Sequence, residues 1–340
     1  MELLLITDGL TLPIDEGFKK FCYNFFKYAS KNDKISILTT PDEVDIPEVG
    51  YFQQSKLLVT REVVAKIAKI HPKRIVYFPA SSSTFFSFIR TFLLKIISRK
   101  SKVWMVSIQK RDHAIWQRCI IKLLGRFDLI VFSEQISERY SKMGINTSFH
   151  PLGVDPELYK PVLDKTILRK KYGYNNQEKI LLHVGHIKET RNLQVLKPLA
   201  KNGYSVIVIG GPSEGYENDL IADLIDGGIT VINTYLSNIE EFYQLADCYI
   251  FPVQNREGAI EFPLSILEAM SCNLPIVTTP FGGLPDFFEE TEYFKYFETE
   301  NELLGKVKEA LSNNNDNNNR EIIINNFSWD KVFCKIINEL

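Results

Sequence analysis

The stretch Glu257–Pro285, EGAIEFPLSILEAMSCNLPIVTTPFGGLP, holds the residues whose types and spacing point most directly to chemistry. Its pattern predicts a turn, a helix opening at Pro263, a short apolar strand at Ile276–Thr278 and a glycine turn at Gly282-Gly283. Proline suits a first helical position, where its missing N–H costs nothing. The first-turn amides at Leu264 and Ser265 would then meet an anion, aided by the helix dipole. Glu268 follows a little over one turn later, a carboxylate able to accept two ribose hydroxyls. Amide donors for a diphosphate and an acceptor for a pentose together suggest a sugar nucleotide.

A second cluster lies in Leu181–Leu193, LLHVGHIKETRNL. It reads as a strand, then a loop carrying His186, Lys188 and Arg191, then a helix beginning near Asn192. Cations and helix-start amides converging there would hold a diphosphate. In Ser205–Gly215, SVIVIGGPSEG, a strand runs into a glycine turn. Its spacing is not the dinucleotide fingerprint, and no acidic residue follows in the expected register. Gly210-Gly211 is read as a loop close to the nucleotide, with a simple β–α turn as the plainer alternative. His183 and His186 have no Cys or carboxylate cluster beside them, so no metal site is expected.

The elements that must position these residues alternate along the chain. Strands are expected at Leu3–Thr7, Ile35–Thr39, Ile75–Phe78, Val103–Ile108, Leu129–Ser133, Ile180–Val184, Ser205–Ile209, Thr230–Asn233, Cys248–Phe251 and Ile276–Thr278. Most are unbroken Ile- and Val-rich runs, as in parallel strands buried on both faces. Amphipathic helical segments separate them, which implies α/β, doubly wound sheets. Ten strands in 340 residues fit two sheets better than one. Three prolines and a glycine at His150–Pro161 mark the boundary, giving domains 1–155 and 156–325 with a terminal helix over 326–340. Ser312–Asn319, SNNNDNNN, reads as a solvated loop.

Composition bounds the rest. Hydrophobic content of 45% supplies ample core. No apolar run reaches the ~18 residues of a membrane span. MELLLITDGL lacks a basic n-region and reads as a buried first strand rather than a signal peptide. Five scattered cysteines without a CxxC fit reduced thiols in a cytoplasmic protein. Charge is uneven: residues 1–155 hold 23 Lys and Arg against 15 Asp and Glu, whereas 156–340 hold 17 against 27. Within 84–126 there are ten basic residues and one acid, Asp112. Phe85–Lys100 is apolar around much of a helix with a basic end, and Trp116, Ile120, Ile121, Leu123 and Leu124 form a second such segment. Two readings stand equal here. One is peripheral contact with an anionic membrane surface; the other is a core helix with a solvated basic end. No nucleic-acid recognition motif accompanies the patch.

Leu267–Val277, LEAMSCNLPIV, resembles the donor-site signature of group 1 (family 4) retaining glycosyltransferases. Phe281–Pro285, FGGLP, Gly153-Val154-Asp155 and Phe327-Ser328-Trp329 support the resemblance. It implies a GT-B architecture of two facing Rossmann-like doubly wound domains. It also implies metal-independent transfer of a sugar from a UDP- or GDP-linked donor, with retention and without a cofactor; the chain contains no Asp-x-Asp. Residue by residue, Glu268 would take the ribose, while Pro263, Leu264 and Ser265 open the donor helix. Gly185 matches the family glycine, His186 stands where its Arg is usual, and Arg191 matches the second cation on the diphosphate. Tyr235 and Leu236 fall where main-chain groups hold the base. Gly17 matches the loop glycine under the diphosphate, and His113 the histidine that touches the transferred sugar. The family's first Glu falls at Ile260; Glu261, one residue later, is assigned its contact with the sugar.

The expected partners are a nucleotide-sugar and a glycan or lipid-linked acceptor, with the protein cytoplasmic or on the inner face of a membrane. A nucleotide-sugar epimerase of the same architecture and a catalytically silent glycan- or lipid-binding partner remain as alternatives. Ile260 and His186, at positions the family fills with charge, keep the last one open.

Overall fold

The computed structural model describes residues 2–14, 16–32, 34–40, 45–47, 49–125, 127–211, 217–312 and 317–340. Half of the expected Ser312–Asn319 loop, most of the turn after Gly211, and Arg126 of the basic stretch lie outside them.

The chain divides into two compact units. The N-terminal unit comprises Met1–Leu152, Ile260–Phe262 and Val332–Leu340; the C-terminal unit comprises Gly153–Ala259 and Pro263–Lys331. The main boundary falls at Leu152/Gly153. The three residues Ile260–Phe262, which the sequence reading left in the second domain, belong to the first.

The N-terminal unit is built on β1 (Leu3–Thr7), β2 (Ile35–Thr39), β3 (Val49–Tyr51), β4 (Arg74–Phe78), β5 (Lys102–Ser107), β6 (Asp128–Val131) and β7 (Thr147–Phe149). They form a parallel sheet in the order β3-β2-β1-β4-β5-β6-β7, with Leu5 opposite both Ile37 and Val76. β1 is LLLIT and buried throughout, as a central strand covered on both faces requires. The helix Gly17–Ala29 buries Phe18, Phe21, Cys22, Phe25, Phe26 and Ala29, a stripe at helical spacing. Its Phe21 and Phe25 rings meet Phe78 of β4 at 5.6 and 5.3 Å. Phe333 of the last helix, Trp329–Glu339, closes on Phe25 at 4.9 Å.

The C-terminal unit contains β8 (Ile180–Val184), β9 (Ser205–Gly210), β10 (Thr230–Asn233), β11 (Cys248–Phe251), β12 (Ile276–Thr278) and β13 (Phe294–Tyr296). Their order is β10-β9-β8-β11-β12-β13, again parallel. The strand order reverses between β8 and β11, the topological switch point at which open α/β sheets bind ligands beyond their carboxyl ends. Both units are thus Rossmann-like α/β sheets.

Three expectations change. Pro263 is not the first helical residue: its ψ of 117° keeps it extended as the N-cap of Leu264–Ser271. The chain just before it is tied down, since Glu261 N–H donates to the Ile108 carbonyl at 2.7 Å. No helix begins at Asn192. Asn192 takes a left-handed φ of 56° between two 3-10 turns, and α-helix starts only at Lys197. Asn319, expected in a solvated loop, opens the helix Asn319–Asn326 and is buried. Its side-chain amide donates to the carbonyls of Leu274 and Tyr293 at 2.8 and 3.3 Å.

Candidate donor-nucleotide site at the carboxyl edge of the second sheet

Because the second sheet is parallel, the segments after β8, β9, β10 and β11 leave from the same edge. Gly185 and His186 follow β8, Gly211 follows β9, and Tyr235 and Leu236 follow β10. The helix carrying Ser265 and Glu268 follows β11. Tertiary structure therefore gathers onto one edge residues scattered over about 80 positions of sequence.

Arg191 is buried, and its guanidinium lies directly over Gly185. A Cβ at Gly185 would stand 2.6 Å from Arg191 Nη1 and 3.2 Å from Cζ, so glycine leaves the room that the guanidinium occupies. Asn192 fastens the same loop across the switch point, its side-chain amide donating to the Pro252 carbonyl at 3.3 Å. His186 and Gly185 are half-buried beside it.

The Leu264–Ser271 helix is buried on nearly every side; in its first turn Ser265 is the half-buried exception. With proline as N-cap, the N–H groups of Leu264 and Ser265 have no intrahelical acceptor. Ser265 faces the Tyr249 hydroxyl. At its other end the helix closes through Cys272 N–H on the Glu268 carbonyl, and Asn273 supplies the left-handed cap at φ 59°. Glu268 is 3% exposed, and the Tyr243 hydroxyl donates to its Oε2 at 2.6 Å. Burial and this carboxylate push the Tyr243 phenol well above its usual pKa, so Tyr243 remains a donor. Of the two residues expected to hold the base, Tyr235 is exposed and Leu236 half-buried.

Sequence reasoning considered His183 only as a metal ligand and passed over Tyr249. His183 Nδ1 sits 2.9 Å from the Ile250 carbonyl, and the Tyr249 hydroxyl donates to the Val184 carbonyl at 3.1 Å. A histidine inside the apolar run ILLHV was the available signal.

The N-terminal unit holds the other assigned residues. Gly17 is the first residue of its helix rather than a loop residue, and a Cβ there would lie 2.9 Å from Ile260 Cδ1. Ile260, at the family's glutamate position, thus covers the family's glycine. Glu261 is fully buried close by, its backbone held by Ile108. His113, assigned to the transferred sugar, is buried between Phe88 and Tyr140, with ring centroids at 5.6 and 6.5 Å. Aromatic packing accounts for that position, and burial lowers its pKa to about 4.

The basic stretch also separates into parts. Arg90 turns inward onto Asp8 at 2.5 Å, Lys95 donates to the Ser101 carbonyl, and Ile121 is core. The outer face of the helix Ile115–Leu124 is apolar and open: Ile115 is 80%, Trp116 57% and Leu123 83% exposed. Phe86, 62% exposed, lies on the adjoining helix Phe85–Ile97, and Arg99, Lys100 and Lys122 are exposed nearby. Among the described residues no helix is long and apolar enough to cross a membrane, and no group of three or more His, Cys, Asp or Glu could hold a metal.

This architecture and these motifs have relatives. The family described as Glycosyl transferases group 1 matches residues 164–328. The lipopolysaccharide core biosynthesis mannosyltransferase LpsB of Rhizobium meliloti is 24% identical over 207 residues, 57% of this chain and 56% of that protein. The sulfoquinovosyl transferase SQD2 of Arabidopsis thaliana is 26% identical over 320 residues, 81% of this chain and 59% of that one. The chain thus spans little more than half the length of these relatives. Among solved structures, HepE of Anabaena in complex with UDP superposes with a TM-score of 0.77 at 16% identity, covering 100% of this chain and 99% of that one. A glycosyltransferase from Rickettsia africae gives 0.79 at 14% identity, covering 99% and 97%. Residues 164–328 thus match the group 1 glycosyltransferases, and the chain's motifs and two parallel sheets are similar to those of that family's GT-B architecture.

Proposed function

We propose that this chain is a glycosyltransferase that transfers a sugar from a UDP- or GDP-linked donor, with retention and without a metal, to a glycan or lipid-linked acceptor. The observation that carries this reading is the seating of Arg191 over Gly185 at the β8/β11 switch point, on the edge that also presents the Leu264–Ser265 amides and Glu268. Arg191, aided by His186, would take the diphosphate; the amides would share its charge; Glu268, its rotamer fixed by Tyr243, would take the ribose. Tyr235 and Leu236 would flank the base, with Gly211 near the nucleotide. In the reaction the anomeric carbon exchanges its bond to the diphosphate oxygen for one to the acceptor oxygen, and the acceptor proton leaves on the diphosphate. Stabilising that departing charge is the main catalytic contribution the site offers. UDP, UDP-glucose, and UDP with glucose appear with HepE, which supports a UDP-linked donor.

The exposed apolar face of Ile115–Leu124, together with exposed Arg99, Lys100 and Lys122, favours a lipid-linked acceptor met at an anionic, cytoplasmic membrane surface. Relatives named for lipopolysaccharide core and sulfoquinovosyl transfer accord with it.

A thermal-shift screen against UDP, GDP, ADP and their sugar conjugates tests the donor reading. Stabilisation by one nucleoside diphosphate, lost in Glu268→Ala, is expected. A chain indifferent to all of them would defeat it.

A further inference from the structure

Strands β8 and β11 pair at Cys248↔Leu181 and Tyr249↔Leu182. Beyond that point side chains bridge them: His183 reaches the Ile250 carbonyl on β11, and Tyr249 reaches the Val184 carbonyl on β8. A carbonyl only accepts, so His183 Nδ1 carries the proton and donates. That tautomer leaves Nε2 as an acceptor. His183 is fully buried, and its Nε2 has no hydrogen-bond partner. An unmatched buried acceptor is costly and needs a reason.

The surroundings supply one. Nε2 lies 3.3 Å from the point where a Gly185 Cβ would stand, and Arg191 Nη1 lies 2.6 Å from the same point. A neutral imidazole acceptor and a guanidinium donor therefore converge on one spot beside Gly185. Burial and the charge of Arg191 hold the imidazole pKa down to about 3, so it stays an acceptor near neutral pH.

We propose that His183 is a positioning residue for Arg191: its Nε2, unpaired in this structure, is the acceptor that takes a guanidinium N–H when the fork receives a diphosphate. This rests on reading Arg191 as a diphosphate ligand. It adds a residue that never touches the nucleotide and acts only through Arg191. An acceptor already held in place beside the guanidinium reduces the side-chain ordering that a ligand must otherwise impose.

The test is calorimetric binding of UDP, UMP, GDP and GMP to the full chain at neutral pH. His183→Phe is expected to weaken the preferred diphosphate about tenfold while changing the monophosphates less than about twofold, the scale of one charge-assisted hydrogen bond. His183→Gln, which keeps an acceptor, should recover most of the loss. In an Arg191→Ala background, His183→Phe should add nothing. Unchanged diphosphate affinity, equal losses for mono- and diphosphates, or a full further loss in the Arg191→Ala background would each overturn the proposal. A ligand-free measurement covers a variant that fails to fold or a chain that binds no nucleotide. In the histidine-nitrogen NMR spectrum, Arg191→Ala should shift the Nε2 resonance that His183→Gln removes. No shift overturns the positioning role whatever the ligand. A wild-type chain that shows this shift yet binds neither UDP nor GDP overturns the donor reading instead.

Discussion

Arg191 Nη1 occupies the space that any side chain at Gly185 would need, 2.6 Å from the Cβ position. The guanidinium is the movable partner, because it ends a flexible side chain. Gly185→Ala should therefore displace Arg191 while leaving the fold intact. We expect a melting temperature near wild type and about tenfold weaker binding of UDP or GDP, corresponding to a lost charged hydrogen bond. A variant that binds with full affinity would dissociate Arg191 from the diphosphate.

Glu268 and Tyr243 form a second coupled pair. Tyr243→Phe removes the hydroxyl that donates to the Glu268 carboxylate at 2.6 Å. With the acceptor buried, chemical denaturation should show a loss of about 1–3 kcal/mol. Glu268→Ala should in addition abolish nucleotide-induced stabilisation, whereas Tyr243→Phe should only weaken it.

Acid should destabilise both units for the same reason. His113 and His183 have folded pKa values near 4 and 3, against 6.5 for an exposed histidine. Both are therefore neutral in the folded protein at mildly acidic pH and cationic in the unfolded chain. Unfolding then takes up protons, so stability falls as pH drops through 6.5 and levels off below the folded values. Each residue contributes a slope of up to about 1.4 kcal/mol per pH unit. Urea unfolding across that range, with His113→Phe and His183→Phe each expected to flatten the slope, checks the sign and the assignment.

Trp116 and Leu123 project from one face of a helix whose Ile121 is core. Trp116→Glu with Leu123→Glu should reduce sedimentation with anionic liposomes several-fold, without lowering the melting temperature or UDP binding. The effect should shrink at high salt, because exposed Lys and Arg supply part of the attraction. Failure of the wild-type chain to sediment at low salt would rule out the membrane surface.

Long apolar runs made much of the fold legible. LLLIT, ISILT, ILLHV and CYIF stand as strands at the bounds their composition predicts, because burial on both faces leaves a local signature. The missed strands β3, β7 and β13 are each three residues long and lie at sheet edges. So short a segment carries no periodicity, and pairing with a neighbour defines it. Leu264–Ser271 was equally legible as a helix, yet its start moved by one residue, because Pro263 stays extended as the N-cap.

Two α/β sheets, the helix that carries Glu268, and a glycine followed a few residues on by an arginine were legible in the chain, because each is written in local pattern or motif. Tertiary packing alone placed Arg191 over Gly185 and Ile260 over Gly17, packed His113 among aromatic rings, and left His183 Nε2 buried beside Gly185 without a hydrogen-bond partner. Those relationships depend on how strands far apart in sequence are ordered within a sheet and where two of them part. That is set by the global packing of the core, and no short window of sequence encodes it.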